Sequence, residues 1–158
     1  MSMEFTDYHT RLAAYVLLVD EVDGQECVLL AWWNGEGHSD PAWSLPGGGI
    51  EFDESIRDGL VREVFEETGL RVRPGRLVGL SEFHNPGTGF HQVDLLFRAR
   101  VAGPAAAVLR DPAGVVNRLR WATEAELATL RVKPDILARV AFGRRRGLAH
   151  EGLHVMVP

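Results

Sequence analysis

The sequence predicts a single-domain α/β (α+β) fold, on three observations. The chain has 158 residues, the length of one ordinary domain. Two apolar and partly β-branched runs, residues 12–19 and 27–33, have the composition of strands. From residue 56 the period changes, because Ile56, Leu60, Val61, Val64 and Phe65 fall on one face of a helix. An apolar fraction of 46% beside a charged fraction of 25% supplies a core and excludes a chain disordered throughout.

The elements follow in order. The first run ends at Asp20-Glu21-Val22-Asp23-Gly24, a turn cluster, so the runs at 12–19 and 27–33 are expected to pair as a hairpin. Residues 34–41 are polar and Gly-rich and read as a loop, and Pro46-Gly47-Gly48-Gly49 is a sharper break. The helix from residue 56 has Ser55 and Asp58 to cap its start, and Gly69 suits the position after its end. Residues 77–83, 93–101 and 119–121 return to strand composition. Thr123, with Glu126 three residues on, opens a second helix reaching about residue 130. A third helix is expected after Pro134, to about residue 142. Arg144, Arg145 and Arg146 read as a solvated helix end, and residues 153–157 are weakly strand-like. Residues 1–158 are thus read as one domain, with a core at about 11–142 and a C-terminal tail at 143–158.

Composition also narrows function. A single cysteine, Cys27, permits neither an internal disulfide nor a cysteine zinc cage. A net charge of −5 argues against a nucleic-acid polymer as partner. The first nine residues, MSMEFTDYH, lack the pattern of a secretory leader. The run at 12–19 is far short of the roughly 20 residues that span a bilayer. No membrane partner is expected, and a cytoplasmic location is.

The chemistry concentrates in residues 48–70, GGIEFDESIRDGLVREVFEETGL. At 100° per residue, Glu63, Glu66 and Glu67 share one side of the helix. Carboxylates at this spacing repel by a few tenths of a kcal/mol per pair. A divalent cation offsets that repulsion, and Mg²⁺ favours carboxylate oxygens and bridges phosphates. Arg62 suits bidentate pairing with a carboxylate, and Glu54, eight residues earlier, reaches it only if the loop before the helix folds back. Gly59 costs about 1 kcal/mol against alanine inside a helix, and its missing side chain leaves room for another segment.

This segment resembles the Nudix box, G-x5-E-x7-R-E-U-x-E-E-x-G-U with U aliphatic. Gly48, Glu54, Arg62, Glu63, Val64, Glu66, Glu67, Gly69 and Leu70 fill all nine defined positions. Residues 43–49 and 120–127 also resemble the family's approach to the box and its late strand-to-helix turn. The resemblance to Nudix hydrolases, the MutT-like pyrophosphohydrolases, covers roughly residues 11–131.

The resemblance implies a Nudix fold, a mixed β-sheet sandwiched between helices. It implies hydrolysis of a diphosphate bond, with Mg²⁺ or Mn²⁺, in a nucleoside diphosphate linked to another moiety. ADP-ribose-like molecules, nucleotide sugars and nucleoside triphosphates are the candidate substrates. Glu66, Glu67 and the Gly48 carbonyl would hold metal, Glu63 would be ligand or general base, and Arg62 and Glu54 would shape the catalytic site. A further glutamate that many members carry before the late Trp-containing strand is missing from residues 113–117, and Asp111 is the nearest acid. Phe83 and Phe90 are candidates to stack a base, and His84 and His91 lie beside them. Pro86, sixteen residues after the box, resembles the ADP-ribose-hydrolysing group but also suits any turn. Trp32, Trp33 and Trp43 read as core. The expected partner is a nucleotide-type small molecule, with a homodimer allowed. The alternative is a weak or inactive Nudix-type nucleotide sensor, which the missing late acid favours. A diphosphate-ester isomerase stands third.

Overall fold

The computed structural model describes residues 10–35, 40–103, 116–143 and 147–155. Asp111, the stretch 113–115 and the arginines at 144–146 lie outside them. The described strands are β1 (Thr10–Leu17), β2 (Val19–Val22), β3 (Gln25–Trp33), β4 (Ala42–Ser44), β5 (Gly47–Gly49), β6 (Val72–Asn85), β7 (Phe90–Val101), β8 (Val116–Thr123) and β9 (Ala149–Val155). The helices are α1 (Ile56–Thr68), α2 (Glu124–Leu127) and α3 (Leu137–Phe142).

The expected hairpin between the first two apolar runs is corrected. The chain breaks after Leu17, and the short β2 pairs antiparallel with β3 across the Asp23-Gly24 turn. β1 instead lies in a five-stranded mixed sheet of order β5-β1-β7-β6-β9, while β2, β3, β4 and β8 form a second, antiparallel sheet. The reason is burial on both faces. Ala14 and Val16 pack with Leu60 and Val64 of α1, whereas Leu17 joins the cluster around Leu137 and Val140 of α3. A strand covered on both sides belongs in the middle of a sheet, where an uninterrupted apolar run is expected.

The expected mixed sheet between helices is present as the five-stranded sheet, with α1 on one face and α3 on the other, and the antiparallel sheet accompanies it. β1 runs parallel to β7, and β6 runs parallel to β9, so the larger sheet is mixed. The other expected strands match the sequence reading and extend beyond it, whereas α2 ends at Leu127 and not at about residue 130. The strand at 119–121 is the centre of the eight-residue β8, and the strand at 77–83 is part of the fourteen-residue β6. α2 carries the expected capping box, with Thr123 and Glu126 bonded in both directions. Trp43 is core, and Trp32 packs edge-on against it with ring centroids 5.3 Å apart. Among the described residues no helix is long and apolar enough to cross a membrane.

Candidate active site

Local signals set α1 in place. The Ser55 hydroxyl accepts the Asp58 N–H at 3.1 Å, and Gly69, at φ +70°, donates its N–H to the Phe65 carbonyl. Glycine is the residue that takes this left-handed cap without strain. Leu60 and Val64 are fully buried against β1. Each such burial stabilises by about 1.5–3 kcal/mol and fixes the helix's rotation. With that face down, Arg62, Glu63 and Glu66 lie part-exposed on the flank, and Glu67 turns into the protein at 9% exposure.

β5 forms the edge these groups meet. Its three glycines pair with Tyr15, Ala14 and Ala13 of β1. Gly47 has φ +142°, and a Cβ there would overlap the Ala14 carbonyl, so the position takes only glycine. Its N–H donates to Glu67 Oε2 at 3.0 Å. A Cβ on Gly48 would run into the Glu63 carboxyl, so this glycine makes room for that side chain.

Arg62 is the hub. Its Nε and Nη2 donate to Glu54 Oε2 and Oε1 at 3.1 and 2.6 Å, the bidentate fork the sequence suggested. Its Nη1 donates to Glu63 Oε1 at 2.8 Å and Glu66 Oε2 at 3.3 Å, and Nη2 also reaches the Gly49 carbonyl at 3.2 Å. Glu54 folds back because the Glu51 N–H donates to it at 2.8 Å and because Gly59 has no side chain there. A Cβ on Gly59 would stand 2.5 Å from Glu54 Oε1.

The charges tune one another. The Arg62 guanidinium and then the Glu51 N–H hold the Glu54 carboxyl down to about 2. Glu54, and more weakly Glu63, raise the Arg62 pKa above its ordinary value. Burial pushes the Glu63 carboxyl up, against the pull of Arg62. Glu63 is therefore easier to protonate than an exposed glutamate.

The acidic groups gather at one edge but do not form a closed cage. Among the described residues no three acidic, histidine or cysteine groups converge closely enough to hold an ion as they stand. Glu63 and Glu66 are drawn to Arg62, and Glu67 to Gly47. The donor chemistry nevertheless fits a hard divalent cation. Glu63 and Glu67 border the glycine strand with Glu66 on the same stretch of helix, and no soft ligand stands among them.

Other candidates fall nearby. Phe83 and Phe90 face each other near the tip of the β6–β7 hairpin, with ring centroids 5.9 Å apart. Pro86 occupies the turn itself. His84 and His91 pair across the strands, and His91 Nδ1 stands 3.2 Å from the Thr10 hydroxyl.

The sequence reading missed a polar floor on β1 and β7. Arg11 Nη1 donates to Gln92 Oε1 at 2.9 Å, and Gln92 Nε2 donates to Asp94 Oδ1 at 2.6 Å and the Tyr15 hydroxyl at 3.3 Å. The Tyr15 phenol is buried, which drives its pKa well above normal. Arg11 also packs against Gly49, since a Cβ there would stand 2.6 Å from its Nη2. By register, Phe83 is opposite Gln92, so the floor and the aromatic pair share one face beside β5. Arg11 and Tyr15 on β1, and Gln92 and Asp94 on β7, stand at even spacing and so share a face within each strand, but the floor emerges only once those strands are paired.

Comparisons with known proteins give the family. A sequence model of the NUDIX domain matches residues 9–140. A MutT-like protein of Streptomyces ambofaciens is 44% identical over 61 residues, 39% of this chain and 37% of that protein. The human nucleoside diphosphate-linked moiety X motif 6 protein is 33% identical over 110 residues, 66% of this chain and 34% of that protein. The chain therefore spans about a third of the length of these relatives. The crystal structure of a MutT protein from Methanosarcina mazei Go1 superposes with a TM-score of 0.69 at 23% identity, covering 89% of this chain and 99% of that one. With a domain match over most of its length and the fold to go with it, the chain belongs to the NUDIX domain family.

Proposed function

We propose that this chain hydrolyses a diphosphate bond in a nucleoside diphosphate linked to another moiety, in a Mg²⁺-dependent reaction. The observation that carries the reading is the arrangement around Arg62. One guanidinium holds Glu54, Glu63 and Glu66 beside the glycine strand on which Glu67 is anchored. A solvated acidic face has no use for such a hub.

The roles follow from placement. Glu66, Glu67, Glu63 and the Gly48 carbonyl are the candidate metal donors. The ion would supply the positive charge that binds the diphosphate and stabilises negative charge developing on the phosphoryl and leaving-group oxygens in the transition state. Glu54 and Arg62 are positioning residues, since their fork orients Glu63 and Glu66. Glu63, half-buried and with its pKa raised, is the group suited to take a proton from the attacking water. Phe83 and Phe90 offer faces for a base, and the Arg11–Gln92 pair offers hydrogen bonds to the linked moiety. The human relative's name, which speaks of a nucleoside diphosphate-linked moiety, supports this substrate class, with ADP-ribose-like molecules, nucleotide sugars and nucleoside triphosphates as the candidates.

The test is a cleavage screen, read by chromatographic separation of the products, over ADP-ribose, nucleotide sugars, dinucleoside polyphosphates and nucleoside triphosphates, each with Mg²⁺ and with Mn²⁺. Metal-dependent cleavage of one class, absent in Glu67→Gln, is expected. Saturable binding of these compounds with no turnover under either metal would replace the hydrolase with the sensor reading.

A further inference from the structure

The sheet edge opposite the acidic site carries an unassigned basic cavity. β5, with the glutamates, is one edge of the five-stranded sheet, and β9 is the other. Where β9 begins, a cavity of about 350 Å³ opens between β6, β7 and α3. It is lined by Arg76, Arg98, Arg139 and His150, with Val78 and Leu148 as apolar wall, and by no described acidic residue.

Local structure concentrates this charge. The β6–β7 register slips between Pro74 and Leu77, and Gly75 lies against the Arg98 backbone, 3.0 Å from its carbonyl at the Cβ position. Arg76 is thereby placed beside Arg98. Arg98 Nη2 donates to the Val140 and Ala141 carbonyls at 2.8 and 3.0 Å, tying α3 to the ribbon. Its Nε and Nη1, and the whole guanidinia of Arg76 and Arg139, have no hydrogen bond or ion pair among the described residues. Next to them, Arg73 stands directly opposite Arg100 in the ladder. Directly opposed like charges destabilise a sheet. The chain as a whole carries a net charge of −5, so this cluster of arginines runs against its overall sign.

We propose that this cavity binds a small polyphosphate anion, either free or as the phosphate tail of a nucleotide. Arginine forks match phosphate oxygens bidentately. Three arginines call for more than one phosphate, while His150, whose Nε2 stands 3.5 Å from Glu82 Oε1, is not counted among them. A cavity near the lower end of the roughly 300–1,000 Å³ range of ligand pockets suits a compact ligand better than a polymer. The site needs none of the glutamates and is independent of the hydrolase reading.

The probe is inorganic tripolyphosphate, added without divalent metal while backbone amide resonances are followed. Saturable shifts are expected at 76, 98, 139–143 and 147–150. Arg76→Gln/Arg139→Gln, which alters two exposed side chains, should weaken binding at least about tenfold. The single variants give intermediate losses if the double variant unfolds. Glu67→Gln should leave the affinity unchanged. ATP binding more tightly than tripolyphosphate identifies a nucleotide tail, and equal affinity identifies the free anion. Shifts confined to residues 47–67, no saturable binding, or unchanged affinity in the arginine variants would overturn the proposal. So would a single-stranded RNA 20-mer that binds the same amides more tightly than tripolyphosphate.

Discussion

The two edges of the larger sheet treat charge in opposite ways. At β5, one arginine serves three carboxylates, and a backbone N–H holds a fourth. At β9, arginines crowd together with no described carboxylate among the lining groups. The first arrangement is pre-organised, because each group is oriented by a partner within the fold. The second is left for something outside the fold to complete. Charge alone distinguishes neither edge as functional; the hydrogen-bond partners do.

The largest effect should come from breaking the acidic edge. Glu67→Gln is expected to reduce turnover by at least about a hundredfold, as loss of a charged group that acts on the transition state does. The metal-free variant should also melt slightly lower, by about 1 kcal/mol, because a neutral amide accepts the Gly47 N–H more weakly. From the sequence, relief of repulsion alone would leave it no less stable. Paired turnover assays and melting curves with and without Mg²⁺ check both statements. Full turnover with an undiminished Mg²⁺ response would remove Glu67 from the site.

Arg62→Lys comes next. An ammonium cannot reproduce the two-point contact with Glu54 while also reaching Glu63 and Glu66. Turnover is expected to fall by about tenfold or more, with the loss in kcat rather than KM. Unchanged kcat would mean that the hub orients nothing.

Gly59→Ala sets two effects against each other. Helix propensity favours alanine by about 1 kcal/mol. The new methyl would stand 2.5 Å from Glu54 Oε1 and 2.8 Å from Ile50 Cδ1, and Glu54 is pinned by Arg62 and Glu51. The overlap is expected to cancel the gain and displace Glu54. A melting curve showing the full propensity gain, with activity intact, would show that the loop moves freely.

Acid should reach two members of the acidic edge differently. The Glu54 carboxyl, held near 2, stays ionised in the folded protein below the range where glutamates normally protonate. Its contribution is complete above about 4.3, the ordinary glutamate value, and is lost as pH falls towards 2. Glu63 has the opposite sign. Its raised folded pKa favours the native state below the ordinary value, and that benefit is lost as pH rises through the folded pKa. Glu54→Gln should therefore flatten the acid limb of stability between about pH 4.3 and 2. An unchanged limb would show that the fork is absent in solution.

The smallest effect belongs to the basic edge. Arg100→Gln should raise stability by a few tenths of a kcal/mol at low ionic strength, by relieving the pair opposite Arg73. The gain should vanish in about 0.5 M salt, where charges are screened within a few ångströms. A gain that persists in salt would have another origin.

The helix and its caps were legible because their determinants lie within a few residues of one another. Ser55 and Asp58, Thr123 and Glu126, and the Gly69 cap all act over one turn. The Arg62–Glu54 fork was legible as a possibility, because eight residues and a glycine allow it. The Gly47–Glu67 bond, the Arg11–Gln92 pair and the basic cavity were not. They join residues 20 and 81 apart, or residues on four elements, through strand pairings that an apolar run does not encode.

By itself, then, the sequence determined which residues form α1, where it starts and stops, and which side of it is acidic. Those are outcomes of periodicity and capping, and they follow from backbone geometry at short range. Tertiary structure decided that β1 leaves β3 for β7. It also decided that Arg62 serves three carboxylates at once and that three arginines meet at the opposite edge with no carboxylate in the cavity lining. Strand partners and register are chosen by burial on both faces of the sheet, a sum over contacts distant in the chain that exists only once the whole core has formed.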